Sequence, residues 1–133
     1  MAPILNLLCI VVVVLAVSSS AVRIGSFNLH QYGAKKSMET LVNHQIAQLI
    51  NEFDLAIIQE ITDVSLAAPY VLHNTLNALS KTHPYTMTLS ERVGRSATKE
   101  QFIFFNRAAT SGVDLINSYV YNDTQSNYFE RPP

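Results

Sequence analysis

Four consecutive apolar residues, Leu55-Ala56-Ile57-Ile58, run directly into the polar pair Gln59-Glu60. A continuous apolar run this short reads as a strand covered on both faces, because a strand with one wet face would alternate. Just upstream, Val42, Ile46, Leu49, Ile50 and Phe53 recur at spacings of three and four. That period predicts a helix from about Met38 to Phe53 with one buried stripe. Ser37 is placed to cap it, and Glu39 falls in its first turn. Val22 to Leu29 reads as a further strand, with Val22, Ile24 and Phe27 among small and polar neighbours, and Gln31 to Lys36 reads as a loop around Gly33.

Beyond the apolar run, Pro69 suits the first turn of a second helix on which Leu72, Leu76 and Leu79 share a face, and His83-Pro84 breaks it. Tyr85–Ser90, Gln101–Asn106 and Val113–Tyr121 read as three more strands. A charged connection around Gly94 joins the first two, and a turn at Ser111-Gly112 joins the last two. The order, βαβα followed by three strands, predicts an α/β domain, more strictly α+β, with a mixed sheet and helices on one face. Nothing in the sequence remains to cover the other face, so the chain reads as part of a larger unit.

The first 21 residues contain 16 of the hydrophobic class, and residues 4–17 are apolar except for Asn6. Small residues from Ser18 to Ala21 follow. This is the pattern of a secretory signal peptide over residues 1–21, and the run is short for a membrane anchor. The mature chain would then be residues 22–133, secreted and without a membrane segment. The single cysteine, Cys9, lies inside the leader. The mature chain therefore has neither a disulfide framework nor a thiol nucleophile. Asn122-Asp123-Thr124 is an N-glycosylation acceptor, which a secreted chain would expose on a turn. Nine Lys+Arg against ten Asp+Glu exclude a polybasic coat, so any phosphate binding needs a local patch or a metal.

Three stretches bear on chemistry: Ile24-Gly25-Ser26-Phe27-Asn28, Leu55 to Asp63 with its Gln59-Glu60 pair, and Gly94-Arg95-Ser96-Ala97-Thr98-Lys99-Glu100-Gln101-Phe102. Together, in this order and on strand ends, they resemble the deoxyribonuclease-I-like branch of the endonuclease/exonuclease/phosphatase superfamily. The likeness runs from about Val22 to Pro133. It implies the amino-terminal half of a four-layer αββα sandwich of two packed mixed sheets, whose second sheet would supply the missing cover.

The resemblance implies a secreted, metal-dependent endodeoxyribonuclease, a hydrolase of DNA catabolism. Phosphodiester hydrolysis needs a cation to neutralise phosphate and a water aligned with the leaving oxygen, and oxygen donors suit Mg²⁺. Glu60 matches the family's principal metal ligand. Asn28 matches the asparagine beside the metal, which orients phosphate or metal-bound water. Glu100 matches a carboxylate that supports a catalytic histidine. Read without the resemblance, Glu60 is a solvated strand-end glutamate, Asn28 an Asx turn, and Glu100 a surface partner of Lys99 or Arg95. His30, His44, His73 and His83 do not occupy the catalytic histidine position, and His44 and His73 read as surface residues. The chain alone is therefore expected to be inactive.

DNA would be met through backbone phosphates. Arg92, Arg95, Lys99 and Arg107 form a modest cationic cluster, and Arg131 matches a phosphate-contacting arginine. His30 and Thr62 stand where the best-known members carry arginines, and Thr98 replaces a minor-groove tyrosine. Ca²⁺ is an optional structural ion in this branch, although the cysteine pair of its loop is replaced near Asp123 to Asn127. Actin binding is not carried over, since Met87 and Leu89 differ from the expected contacts. The alternatives are another phosphodiesterase of the superfamily and a non-catalytic secreted binding module.

Overall fold

The computed structural model describes residues 21–133. The predicted leader and Cys9 lie outside the described residues. Four strands, β1 (Ile24–Tyr32), β2 (Leu55–Ile61), β3 (Thr86–Leu89) and β4 (Gln101–Asn106), form one sheet in the order β1-β2-β4-β3. The pairing of β1 with β2 is parallel, and the pairings of β2 with β4 and β3 with β4 are antiparallel. The sheet is therefore mixed, as predicted. Two short helices, α1 (Ala34–Ser37) and α4 (Ala108–Ser111), and two longer ones, α2 (Thr40–Ile50) and α3 (Ala67–Leu79), complete the α+β fold.

Pleating sorts the sheet residues onto two faces. Ala56 and Ile58 of β2 and Ile103 and Phe105 of β4 point inward, where they bury with Ile50, Leu72 and Leu76 of the helices. The opposite face carries the row Ser26–Ile57–Phe104–Thr88, whose members are exposed or half-buried. Continuity of the apolar run thus does not mean cover on both sides: Leu55 and Ile57 face the open side, and Ile24 there is 62% exposed. Gly25 is required by packing. A Cβ at this position would stand 2.9 Å from the rings of both Phe27 and Phe53, which meet edge to face at 5.2 Å.

Several local expectations are corrected. The predicted helix Met38–Phe53 divides: Ser37 ends α1 with its hydroxyl bonded to the Ala34 carbonyl, and Glu39 precedes α2 without a side-chain cap. The stripe is also rotated, since Asn43, Ala47 and Ile50 are buried while Leu49 is exposed. Hydropathy misses Asn43 because its polarity is satisfied internally: it accepts from the Tyr32 hydroxyl at 2.5 Å and donates to Thr75 Oγ1 at 2.7 Å. The expected loop at 31–36 is instead the end of β1 followed by α1. Val113–Tyr121 is not a strand. It has no pairing partner, and the preceding turn is α4, ended by Gly112 at φ 62°. His73 is not a surface residue: Nε2 lies 2.8 Å from the Tyr85 carbonyl and the ring stacks on Phe105.

Candidate active site

Glu60 owes its position to irregularity in both ladders it belongs to. Along β1 and β2, Asn28 pairs with Gln59 and Tyr32 with Ile61, so Leu29, His30 and Gln31 stand opposite Glu60 alone. Along β2 and β4, Ile58 pairs with Ile103 and Ile61 with Gln101, so Gln59 and Glu60 stand opposite Phe102 alone. Bulges of this kind re-aim side chains at sheet ends. The cost is visible in the backbone: His30, Gln31 and Glu60 have φ of 49°, 57° and 60°. Each such non-glycine residue carries of order 1 kcal/mol or more of strain, which the surrounding bonds must offset.

Those bonds converge on the carboxylate. Asn28 Nδ2 donates to Glu60 Oε1 at 2.6 Å, and the Gln31 N–H donates to Oε2 at 3.0 Å. The His30 N–H in turn fixes Asn28 by donating to its Oδ1 at 2.7 Å, and His30 Nδ1 stands 4.0 Å from Oε2. The Asn28 bond first, then the Gln31 amide and the nearby His30 and Arg131, hold the Glu60 carboxyl below the usual carboxylate range despite partial burial. Glu60 is therefore an anion at neutral pH, and its side chain is 27% exposed.

Arg131 pairs with the second carboxylate. Its Nη2 lies 3.0 Å from Oε1 of Glu100, which is only 13% exposed. Glu100 thus pairs with Arg131 rather than with Lys99 or Arg95. Its backbone is fixed by a two-bond bridge to Val93. A cleft of about 320 Å³ lined by Gln31, Thr62, Thr98, Lys99, Glu100 and Arg131 opens here. A second, of about 450 Å³, includes His30, Lys35 and Lys36 and shares Gln31 and Thr62 with the first. The two clefts therefore adjoin at Gln31 and Thr62.

The cationic cluster read from sequence is largely committed elsewhere. Arg92 donates to the carbonyls of Thr62, Asp63 and Lys99, and Arg107 to those of Asn51 and Phe53 beneath the Tyr85 ring. Arg95 binds Asp123 and the Asn127 carbonyl, lining a different cleft. Asn122 is exposed, and its Oδ1 accepts from the Thr124 hydroxyl at 2.7 Å and amide at 3.2 Å.

Among the described residues, no three His, Cys, Asp or Glu side chains gather as a metal cage. The donor set at Glu60, one ionised and accessible carboxylate oriented by an amide, fits a hard ion that keeps most of its waters, as Mg²⁺ does. Sequence reading missed Gln31 and Lys36 at this site, because Gln31 acts through its backbone N–H and the Lys36 ammonium through two backbone carbonyls that only the bulge brings into line.

No protein-family model matches the chain. Deoxyribonuclease-1-like 2 of Homo sapiens is 32% identical over 118 residues, which are 89% of this chain and 38% of that protein. Deoxyribonuclease-1 of Equus caballus is 35% identical over 103 residues, 77% of this chain and 36% of that protein. Deoxyribonuclease-1 of Gallus gallus is 30% identical over 105 residues, 79% and 36%. The chain thus spans less than two fifths of the length of these curated relatives. It is similar to the amino-terminal part of deoxyribonuclease-I-like proteins, at about one-third identity over most of its own length.

Proposed function

We propose that the protein is the amino-terminal part of a secreted, divalent-metal-dependent endodeoxyribonuclease that hydrolyses phosphodiester bonds of DNA. The observation that carries this reading is the strained and ionised Glu60, hydrogen-bonded by Asn28 and by Gln31, the latter a residue that lines both clefts. In this reading Glu60 holds the metal, Mg²⁺ being the ion of choice. Asn28 keeps the carboxylate in place and faces the phosphate. Glu100 supports a catalytic histidine, and His30, Arg131 and, from its place beside Asp123, Arg95 meet backbone phosphates. When bound, the ion neutralises phosphate charge and acidifies a coordinated water. The chain's own contribution is orientation: Asn28 and the Gln31 amide keep Glu60 charged and fixed, and Arg131 pairs with Glu100.

Residues 1–21 direct secretion in this proposal, residues 22–133 form the partial nuclease domain, and Asn122 carries a glycan. The Asx-type turn at Asn122 and its exposure support the last point. The chain by itself does not cleave DNA in this proposal: Glu100 is paired with Arg131 rather than with a histidine, and the exposed His30 stands beside Glu60 instead.

The test is a titration of the full chain with Mn²⁺, followed by paramagnetic broadening of amide signals. Broadening centred on residues 28–31 and 59–61, lost in Glu60→Gln, is expected. Undiminished broadening in Glu60→Gln would remove the metal assignment. Rapid plasmid nicking by the chain, abolished by Glu60→Ala, would overturn its predicted inactivity.

A further inference from the structure

The side chain of Lys36, at the third position of α1, reaches back across the bulge. Its Nζ donates to the Leu29 carbonyl at 2.8 Å and to the His30 carbonyl at 2.7 Å. These two carbonyls belong to the peptide groups whose N–H ends are those of His30 and Gln31. The His30 N–H grips Asn28 and the Gln31 N–H grips Glu60. One ammonium therefore fixes the oxygen ends of two successive peptide planes, while their hydrogen ends fix the two site residues.

We infer that Lys36 is a positioning residue of the Glu60 site, holding the Leu29–His30 and His30–Gln31 peptides so that their N–H groups face Asn28 and Glu60. The inference rests on the metal reading of Glu60 given above. Three observations carry it. His30 and Gln31 are both left-handed, so their peptide planes would relax without an outside grip. A cation on the carbonyl side also polarises each peptide and strengthens its N–H as a donor. Finally, Lys36 is half-buried against the strand, and the helical turn bonded from Gly33 O to Ser37 N fixes its backbone. Neighbouring Lys35 is exposed and makes no such contacts among the described residues. Partners that orient a metal ligand typically affect metal affinity 10–100-fold.

The experiment compares the full chain with Lys36→Met, which keeps length and removes charge and donors, and with Lys36→Arg, which keeps both. Amide hydrogen exchange at His30 and Gln31 is read first, with Ile58 and Phe105 amides as a control for the fold. Mn²⁺ affinity at Glu60 is then read by paramagnetic broadening. Lys36→Met is expected to speed exchange at His30 and Gln31 at least tenfold and to weaken Mn²⁺ binding about tenfold. Lys36→Arg is expected to preserve both, and the control amides should not change in either variant. Unchanged His30 and Gln31 exchange in Lys36→Met overturns the inference, whatever the metal result. Loss of the metal reading shows separately, as absence of Glu60-dependent broadening in the unsubstituted chain.

Discussion

Removing one oxygen from Tyr32 tests how the bulge is anchored. Tyr32 is fully buried, and its hydroxyl donates to Asn43 Oδ1, which is itself 3% exposed. Burial pushes the Tyr32 phenol up, so it remains a protonated donor throughout any practical pH range. Tyr32→Phe leaves the ring in place and orphans the Asn43 oxygen, while the Asn43 bond to Thr75 survives. A buried acceptor left without a partner costs about 1–3 kcal/mol. With a urea slope of about 2 kcal/mol/M, the middle of the usual range, the midpoint should fall by roughly 0.5–1.5 M at unchanged slope. The sharper arm is a double-mutant cycle. Asn43→Leu alone strands the Tyr32 hydroxyl, whereas Tyr32→Phe with Asn43→Leu leaves neither group wanting a partner. The double variant should be more stable than the sum of the two losses by at least about 0.5 kcal/mol. Strict additivity in urea unfolding followed by circular dichroism would refute the reasoning.

Gly25→Ala should cost about 1–3 kcal/mol, because the new methyl displaces the Phe27 and Phe53 rings from their edge contact; an unchanged urea midpoint contradicts this. Two carboxyls predict the acid limb of stability. Asp54, through the Arg23 amide and the Thr110 hydroxyl, is held below its ordinary value. Asp63 is also lowered: burial opposes ionisation, but bonds from the Ala68 amide and from the Ser65 hydroxyl and amide outweigh it. Carboxyls lowered on folding bind protons more readily in the unfolded chain, so their stabilisation is present above about pH 4 and is lost as pH falls through their folded values. Asp63→Asn should therefore destabilise at pH 7, by a gap that narrows as pH falls below about 4; a gap independent of pH would count against it. Arg95→Met strands the buried Asp123, which also accepts from the Ser126 hydroxyl and the Tyr128 and Phe129 amides. Limited proteolysis should then cut first within residues 113–133, and cutting first within residues 24–106 would refute that placement.

Most of the layer structure was legible in the sequence because apolar spacing reports burial directly. Ala56, Ile58, Leu72, Leu76, Ile103 and Phe105 are buried where period and length place a strand or a helix. The failures have a common physical origin. Asn43 and His73 are polar residues buried through partners distant in sequence, which no local pattern encodes. Val113–Tyr121 has a strand-like composition but no strand to pair with, and composition is silent about partners. The site divides in the same way. Glu60 and Asn28 could be named from their motifs, and the structure brings them together at 2.6 Å. Gln31 contributes a backbone amide, which any residue carries, and Lys36 a grip on two carbonyls that only the fold brings within its reach.

The left-handed backbone at His30, Gln31 and Glu60 also sets how this region responds to selection. Asparagine or glycine tolerates that conformation better than the residues present. A library screened for heat resistance alone should therefore enrich such replacements at these three positions, and in doing so would discard the carboxylate before it touched the core. Retention of Glu60 under a combined screen for stability and Mn²⁺ binding, with its loss under the thermal screen alone, would measure how far strain and ligation are in conflict here.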